Sequence, residues 1–323
     1  MASMKGFSIG FMIFFALFLA ACETQDHHLF DNPKTNFTFI VVGDTQPPTT
    51  EEQLMLISKI YSERPDFVIH VGDFVDIGTE EEWKRVDNTF GQLMQAGIPV
   101  YPVMGNHEYA DAGGSLSETK EKIQMFSDRF PHLNGNRWYS FRYGNLTFIM
   151  LDSTHMHLLD DGQRQSDAQT KWFRKMVKGQ GLKIVTLHHP MVSHYGAGAE
   201  LPEVEMRKIL KDAVIRYSSP AVVFSGHVHN FQAINDGSMY FIVTGGGAGG
   251  KDGKGTTLIH NSLDGYRFDF FFYTHYVKTV VTENDVIMQA IFFHKEIGQW
   301  VEGKKVAMVN LTTIPDGYFT VMD

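Results

Sequence analysis

The chain has 323 residues, of which 43% are hydrophobic and 13% aromatic, and its formal net charge is −9. This composition is typical of a soluble globular protein with one large domain or two small ones. The acidic balance argues against a nucleic-acid groove, which needs a basic stripe to replace the counterions around phosphates. We therefore expect a small-molecule partner and no nucleic-acid polymer.

Residues 1–21 have the pattern of an export signal. Lys5 precedes an apolar run at 11–19, which is too short to span a bilayer as a permanent helix. The run ends in Leu19-Ala20-Ala21-Cys22, which resembles a bacterial lipobox. That resemblance implies a lipid anchor at Cys22 and an exported protein of the cell envelope, facing the periplasm or the surface. A plain signal peptide with an incidental cysteine is the alternative.

Cys22 is the only cysteine in the sequence, so no intramolecular disulfide can form and every metal ligand must be nitrogen or oxygen. Residues 22–35 are polar and lack an apolar period, which predicts a tether. We expect His27 and His28 to be solvated within it.

Strands and helices alternate from residue 36 onward. Strands are predicted at 37–42, 66–71, 99–103, 183–187 and 221–224. Helices are predicted from about Thr49 to the residue before Pro65, and over 80–96, 165–177 and 202–215. This alternation indicates parallel βαβ units, and the runs 137–143 and 146–151 predict a hairpin. Later residues predict strands only, at 231–234, 239–243, 266–281 and 286–293.

The glycine-rich run 244–250 could be mistaken for a phosphate-binding loop. Such a loop opens a helix, where free N–H groups meet the anion, and no helix can start after Gly250. We interpret the run as a tight, exposed loop with a structural role.

Five predicted strands end in side chains that suit metal ions. The stretches are Gly43-Asp44-Thr45-Gln46, Gly72-Asp73-Phe74-Val75-Asp76, Gly105-Asn106-His107-Glu108, His188-His189-Pro190 and Gly226-His227-Val228-His229. Without a shared ligand, five buried strand ends would direct unpaired polar groups into one crevice. His227 and His229 alone would be weaker evidence, because two loop histidines need not share a task.

In this order the five stretches resemble the calcineurin-like metallophosphoesterases, whose pattern is Asp-x-His, Gly-Asp, Gly-Asn-His-Asp/Glu, His and Gly-His-x-His. The resemblance implies an α/β fold, a four-layer α/β/β/α sandwich over 36–250, with a β-rich part at 251–323 that completes the second sheet. It also implies two metal ions, Mn, Fe or Zn, and hydrolysis of a small phosphate ester by a hydroxide that bridges them.

The resemblance also implies a role for each residue. Asp73 would bridge the two metals. The other ligands would be Asp44, Gln46 and His229 on the first metal, and Asn106, His188 and His227 on the second. His107 would be the general acid or a hydrogen-bond donor to the transition state, and Asp76 would orient it. A turn-capping carboxylate is the alternative for Asp76.

Several other histidines are candidates for smaller roles. His189 and His194 are candidate substrate contacts, and His155 and His157 lie in predicted loops that could border the crevice. His70 lies inside a predicted strand, where we expect a hydrogen-bonded core histidine.

Three departures from the family pattern limit the substrate prediction. Gln46 stands where most members have His, so the first metal would be held by a poorer donor. Asp76 replaces the Tyr of purple acid phosphatases, although Trp138-Tyr139-Ser140-Phe141 and Leu151-Asp152-Ser153 resemble that branch. Ile77 replaces an Arg that grips phosphate in protein phosphatases. Phosphomonoester hydrolysis is the first hypothesis, phosphodiester hydrolysis the second, and a binding lipoprotein that lost turnover the third.

Overall fold

The computed structural model describes residues 27–47, 51–194, 200–237, 239–247, 261–263, 266–271, 273–311 and 319–320. The predicted export signal and Cys22 lie outside these residues. Within them, no helix is long and apolar enough to cross a bilayer.

The described residues alternate strands and helices in the first two thirds of the chain and form strands alone afterwards. In the first half these are β1 His28–Asn32, β2 Phe37–Val42, α1 Glu51–Glu63, β3 Phe67–His70, α2 Glu80–Asp87, α3 Phe90–Gln95, β4 Val100–Pro102, α4 Lys120–Arg129, β5 Tyr139–Tyr143 and β6 Leu146–Met150. The second half contains α5 Ser153–His157, α6 Asp161–Ser166, α7 Ala168–Met176, β7 Lys183–Thr186, α8 Leu201–Tyr217, β8 Ala221–Ser225, β9 Phe231–Asn235, β10 Met239–Thr244, β11 Asn261–Leu263, β12 Tyr266–Phe271, β13 His275–Val281, β14 Asp285–His294, β15 Gln299–Asn310 and β16 Phe319–Thr320.

The strands form two sheets. One has the order β1-β5-β6-β7-β8-β10-β9-β12-β11 and the other β16-β15-β14-β13-β2-β3-β4. Strands β2, β3 and β4 are parallel to one another, as are β6, β7 and β8. Each group therefore brings the loops that follow its strands to one edge of its sheet.

Four phenylalanines form the centre of the core between the sheets. Phe39 and Phe67 stack with ring centroids 5.2 Å apart, and Phe141 and Phe148 stack at 4.6 Å. The two pairs meet edge to face, as in the 85° contact of Phe67 with Phe148. This geometry brings the positive ring edges of one pair to the negative faces of the other.

Helices cover the outer faces of both sheets. A second apolar cluster packs α7 and α8 against the nine-stranded sheet, with Phe173 and Leu210 fully buried. On the other sheet, Leu56 and Ile60 of α1 are fully buried. The predicted α/β/β/α sandwich is confirmed.

Two predicted helices are each divided in two. Thr89 interrupts 80–96, because its hydroxyl donates to the carbonyls of Arg85 and Val86, which a continuous helix would offer to N–H groups. Asp167 interrupts 165–177, where it ends α6 and its carboxylate accepts the Gln169 N–H at 2.8 Å to begin α7.

The tether prediction is wrong for the residues of β1. His28–Asn32 pairs in parallel with β5 at the edge of the nine-stranded sheet. His27 is ordered as well, with its ring stacked on Trp138 at a centroid distance of 5.0 Å. Only Leu29 and Phe30 of this strand pack against the core, where Phe30 stacks on Phe141 at 5.2 Å, so the strand is too short and polar to show an apolar period.

The C-terminal residues enter both sheets. The predicted run 266–281 is two strands: β12 pairs with β9 in one sheet, and β13 pairs with β2 in the other. Gly245, Gly246 and Gly247 are buried, so the prediction of an exposed loop is wrong for them. A Cβ at Gly247 would overlap the Gly43 carbonyl, which accepts the Gly247 N–H at 2.9 Å.

Candidate metal centre

The turn after β2 places Asp44 at the sheet edge with a positive φ of 57°. Its N–H donates to the Gly72 carbonyl at 2.9 Å, which ties this turn to the one after β3. Asp44 Oδ1 accepts the N–H of His227 at 2.9 Å. Asp44 Oδ2 is buried and has no hydrogen-bond partner.

The turn after β3 places Asp73 beside it, also with a positive φ, of 60°. Asp73 Oδ1 accepts the N–H of His107 at 3.0 Å, and Oδ2 lies 3.2 Å from His188 Nε2. A Cβ at Gly105 would overlap Asp73 Oδ1, so a glycine is required where the loop after β4 passes the carboxylate.

Asn106 joins the two sheets at this edge. Its Oδ1 lies 2.9 Å from His188 Nε2 and 2.9 Å from His227 Nδ1. The other ring nitrogen of His188 lies 2.8 Å from the Val71 carbonyl oxygen, which fixes the ring orientation.

Gln46 and His229 lie on the other side of Asp44. His229 Nε2 is 3.4 Å from Asp44 Oδ1 and 3.3 Å from Gln46 Nε2. Gln46 Oε1 is buried without a hydrogen-bond partner. The structure thus brings all seven predicted ligands to one place.

These residues fit two cations. Donor atoms of Asp44, Asp73 and His229 lie within 4.8 Å of one another. Asp73 also contacts His188, and His188 in turn contacts Asn106. Asp73 therefore belongs to both sets, as a bridging ligand would. The buried, unpaired Asp44 Oδ2 and Gln46 Oε1 are the kind of oxygen atoms that a cation would satisfy.

The electrostatics of the cluster are those of a buried carboxylate among imidazoles. Burial favours the neutral acid, but His188 and His107 outweigh it and hold the pKa of Asp73 at about 2. Burial likewise opposes charge on His188, yet Asp73 raises its pKa to about 10. Burial and His188 together lower the pKa of His227 to about 3. Metal binding would displace the His188 proton, since a ligand imidazole must be neutral.

His107 extends into the same crevice from the loop after β4. Its Nδ1 lies 2.8 Å from the carbonyl oxygen of Asp76 and 3.1 Å from Asp76 Oδ1. Its Nε2 lies 3.9 Å from Asp73 Oδ2, on the side of the proposed ligands. Burial would lower the pKa of His107, but Asp73 and the Asp76 carbonyl raise it above its usual value.

The sequence profile described as calcineurin-like phosphoesterase matches residues 37–231, which include every predicted ligand. The chain belongs to this family. The family prediction is therefore confirmed, and membership of this phosphoesterase family implies the use of metal ions.

Two curated relatives illustrate its neighbours within the family. A probable glycerophosphodiester phosphodiesterase of Arcobacter nitrofigilis is 29% identical over 172 residues, covering 51% of this chain and 57% of the relative. Purple acid phosphatase 23 of Arabidopsis thaliana is 23% identical over 180 residues, covering 50% of this chain and 36% of the relative. The chain thus spans about half the length of these relatives or less.

Two solved structures share the fold. The purple acid phosphatase from yellow lupin (Lupinus luteus) seeds superimposes with a TM-score of 0.60 at 17% identity, covering 84% of this chain and 54% of that one. A dimetal phosphatase from Danio rerio gives 0.54 at 14% identity, covering 80% and 96%. At these identities the match shows the phosphoesterase fold alone.

Sequence reasoning missed the role of Glu108 in this member of the calcineurin-like phosphoesterase family. Its buried carboxylate accepts the N–H groups of Gly105, Asp73 and Phe74 at 2.6, 2.9 and 2.7 Å. It therefore fixes the turn that carries Asp73 to the loop that carries Asn106. Burial, reinforced by Asp73, raises the pKa of Glu108 to about 7. The acidic fourth position of Gly-Asn-His-Asp/Glu was the available signal.

The remaining predicted residues fall in different places. His189 is buried, with its ring centroid 4.5 Å from that of His227. His194 has an exposed side chain, and its N–H donates to Gln232 Oε1 at 2.9 Å. His70 is a core histidine, as expected, with Nε2 2.9 Å from the Thr45 hydroxyl.

Proposed function

We propose that the chain hydrolyses phosphate monoesters with two metal ions held by Asp44, Gln46, Asp73, Asn106, His188, His227 and His229. Manganese, iron and zinc suit this set of carboxylate, amide and imidazole donors. Bound at such a centre, a pair of cations lowers the pKa of water and polarises phosphoryl oxygens. The protein's own residues supply the rest of the reaction.

The pairing of His107 with Asp76 carries the proposal. The Nδ1–H group donates to Asp76 oxygens, which directs Nε2 toward the ligand cluster. Although burial would lower the pKa of His107, Asp73 and the Asp76 carbonyl raise it, and the raised pKa favours the protonated ring. A protonated Nε2 at this position can donate its proton to the leaving alkoxide or hydrogen bond to a phosphoryl oxygen.

Replacing His107 tests the assignment. We expect His107→Ala to reduce the hydrolysis of nitrophenyl phosphate by about 10²- to 10⁴-fold, the usual contribution of a general acid. Metal content should remain at the wild-type level, because His107 is not a proposed ligand. Asp76→Asn should have a smaller effect in the same direction. Equal loss of metal and rate in His107→Ala would contradict the assigned role.

Phosphodiester hydrolysis is the second candidate, favoured by the similarity to the probable glycerophosphodiester phosphodiesterase of Arcobacter nitrofigilis. A monoester carries more negative charge than a diester and so benefits more from cations. Arg137 is a largely buried cation, but it pairs with Asp152 at 3.4 Å and Glu118 at 3.2 Å and so is already neutralised by protein carboxylates. A screen of nitrophenyl phosphate against bis-nitrophenyl phosphate, with each metal supplied in turn, separates the two activities. A protein that retains substrate without turnover would instead support the binding lipoprotein.

We further propose that Cys22 carries a lipid and anchors the exported protein in the cell envelope. The support is the sequence Leu19-Ala20-Ala21-Cys22 after an apolar run. Cys22→Ser should release the protein from the membrane fraction, and mass spectrometry of the mature N-terminus should detect the acyl chains in the wild type. An unmodified cysteine would refute the anchor.

A further inference from the structure

A second cluster of possible ligands lies outside the proposed dinuclear centre. His157 ends α5, His189 follows β7, and Glu203 belongs to the first turn of α8. One donor atom from each of the three lies within 4.8 Å of the other two. No sequence motif connects these residues, and the fold alone brings them together.

The cluster is largely removed from water. Glu203 is 1% exposed and His189 is 7% exposed. A buried carboxylate requires a positive partner, and here its neighbours are imidazoles. His157 Nε2 lies 2.8 Å from Glu203 Oε1, and the rings of His157 and His189 have centroids 4.2 Å apart. One carboxylate thus faces two imidazoles, whereas an ion pair would need only one.

Supporting contacts hold His189 and Glu203 in place. The Ser153 hydroxyl lies 2.8 Å from His189 Nδ1, which leaves Nε2 as the nitrogen that can bind an ion. Glu203 Oε2 accepts the Glu200 N–H at 3.2 Å. Outer contacts of this kind, to a serine and a backbone amide, orient the ligands of metal sites.

We propose that His157, His189 and Glu203 bind a third divalent transition-metal ion next to the dinuclear centre. His189 adjoins both sites, because one of its nitrogens also lies within 4.8 Å of donor atoms of His188 and His227. Two histidines and a glutamate form a common ligand set for zinc that keeps an open coordination position. His157 and Glu200 line an open groove of about 920 Å³, so an ion can approach the cluster from the side of His157. This third site does not depend on the proposed hydrolysis.

Metal stoichiometry tests the proposal on the full chain. The protein is stripped with chelator, reloaded with Zn²⁺, dialysed, and analysed by mass spectrometry of its metals. We expect three equivalents in the wild type, and two in both Glu203→Gln and His157→Ala. Glu205→Gln is the matched control, since Glu205 lies on the same helix and instead pairs with Arg164 at 3.4 Å. It should keep all three equivalents.

Cobalt substitution gives a second readout. Titration with Co²⁺ should develop visible absorption from three sites in the wild type and from two in Glu203→Gln. Circular dichroism checks folding, and if the buried Glu203→Gln variant does not fold, His157→Ala, at a side chain that is 14% exposed, decides the question. Unchanged stoichiometry in the folded variants would overturn the third site.

The experiment also separates the two metal proposals. Asp73→Asn should remove the dinuclear pair and leave one equivalent, which Glu203→Gln in the same chain should then remove. A wild type that binds two equivalents, both lost in Asp73→Asn and both kept in Glu203→Gln, would overturn the third site and leave the dinuclear centre intact. If the wild type binds one equivalent, which is lost in Glu203→Gln and kept in Asp73→Asn, the dinuclear centre is overturned and the third site stands.

Discussion

The inter-sheet core and the loops at the ends of the same strands are built differently. In the core, Phe39 and Phe67 are fully buried, and their rings stack on each other within a cluster of apolar side chains. In the turns that follow β2 and β3, Asp44 and Asp73 are as deeply buried, but they are polar and have a positive φ. His227, which follows β8, has a positive φ of 66° as well.

This difference indicates which part of the molecule stabilises the fold and which part is available for chemistry. A non-glycine residue at positive φ costs about 1–3 kcal/mol and persists only where the surroundings enforce it. Here the surroundings are the apolar sandwich beneath and the Glu108 carboxylate, which binds the N–H groups of the Asp73 turn. We infer that the core supports strained turns whose side chains serve a ligand.

The largest expected effect comes from removing the shared carboxylate at the strand ends. Asp73→Asn should lower phosphate-ester hydrolysis by roughly a thousandfold or more, because several kcal/mol of transition-state stabilisation by metal ions is worth about that much. Both dinuclear equivalents of metal should be lost together, while far-ultraviolet circular dichroism stays unchanged. Turnover within tenfold of the wild type would show that Asp73 is not the bridging ligand.

A substitution in the core should affect stability and leave the activity unchanged. Phe67→Ala should lower the free energy of unfolding by about 3–5 kcal/mol, since a buried aromatic ring leaves a cavity that its neighbours fill only partly. Hydrolysis per folded molecule should stay near the wild-type level, because Phe67 touches no proposed ligand. Urea denaturation and active-site titration measure the two quantities. Leu54→Ala, at a side chain that is 55% exposed, is the control and should change stability by less than about 0.5 kcal/mol.

The proposed ligands at the strand ends could be predicted from the sequence because the signal lies within a few consecutive residues: an apolar run, a glycine and then a polar donor. The sequence also predicted β2 at the observed residues and placed Asp44 and Asp73 directly after strands. What sequence reasoning missed depends on distant partners. The four-residue motif containing Glu108 does not reveal that its carboxylate binds the N–H of Asp73, 35 positions earlier. Likewise, His157 and Glu203 are 46 positions apart and meet only in the fold.

Errors in the secondary structure have the same cause. The helix break at Thr89 depends on whether its hydroxyl turns to the Arg85 carbonyl, a choice that composition leaves open. Strand β1 was missed because five mostly polar residues form a strand only when the edge of β5 is available to pair with them. The local sequence pattern therefore predicted the residues of the candidate site better than it predicted where helices and strands begin and end.

Glu63 is a carboxylate away from the proposed metal centre, and it can be compared with Asp44. Glu63, at the end of α1, accepts hydrogen bonds from Tyr276 at 2.9 Å and Lys278 at 2.6 Å, and Lys59 lies 2.7 Å away. Burial alone would raise the pKa of Glu63, but Lys278, Lys59 and Tyr276 outweigh it and lower the pKa from 4.5 to about 2. Unlike Asp44, whose Oδ2 has no hydrogen-bond partner, this carboxylate has partners within the protein for both oxygens, so it should stabilise the fold.

Glu63→Gln should therefore lower the free energy of unfolding by on the order of 2 kcal/mol at pH 7, without changing hydrolysis per folded molecule. Because the folded pKa lies below the unfolded one, the contribution is fully present above about pH 4.5. It is lost as the pH falls toward 2. Urea denaturation from pH 7 to pH 3 should show the unfolding free energies of the wild type and the variant converging. Glu81→Gln is the control: the Glu81 side chain is 82% exposed and pairs with Arg85, so this variant should match the wild type at every pH. A difference that stays constant with pH would mean that Glu63 stabilises the fold by packing rather than by charge.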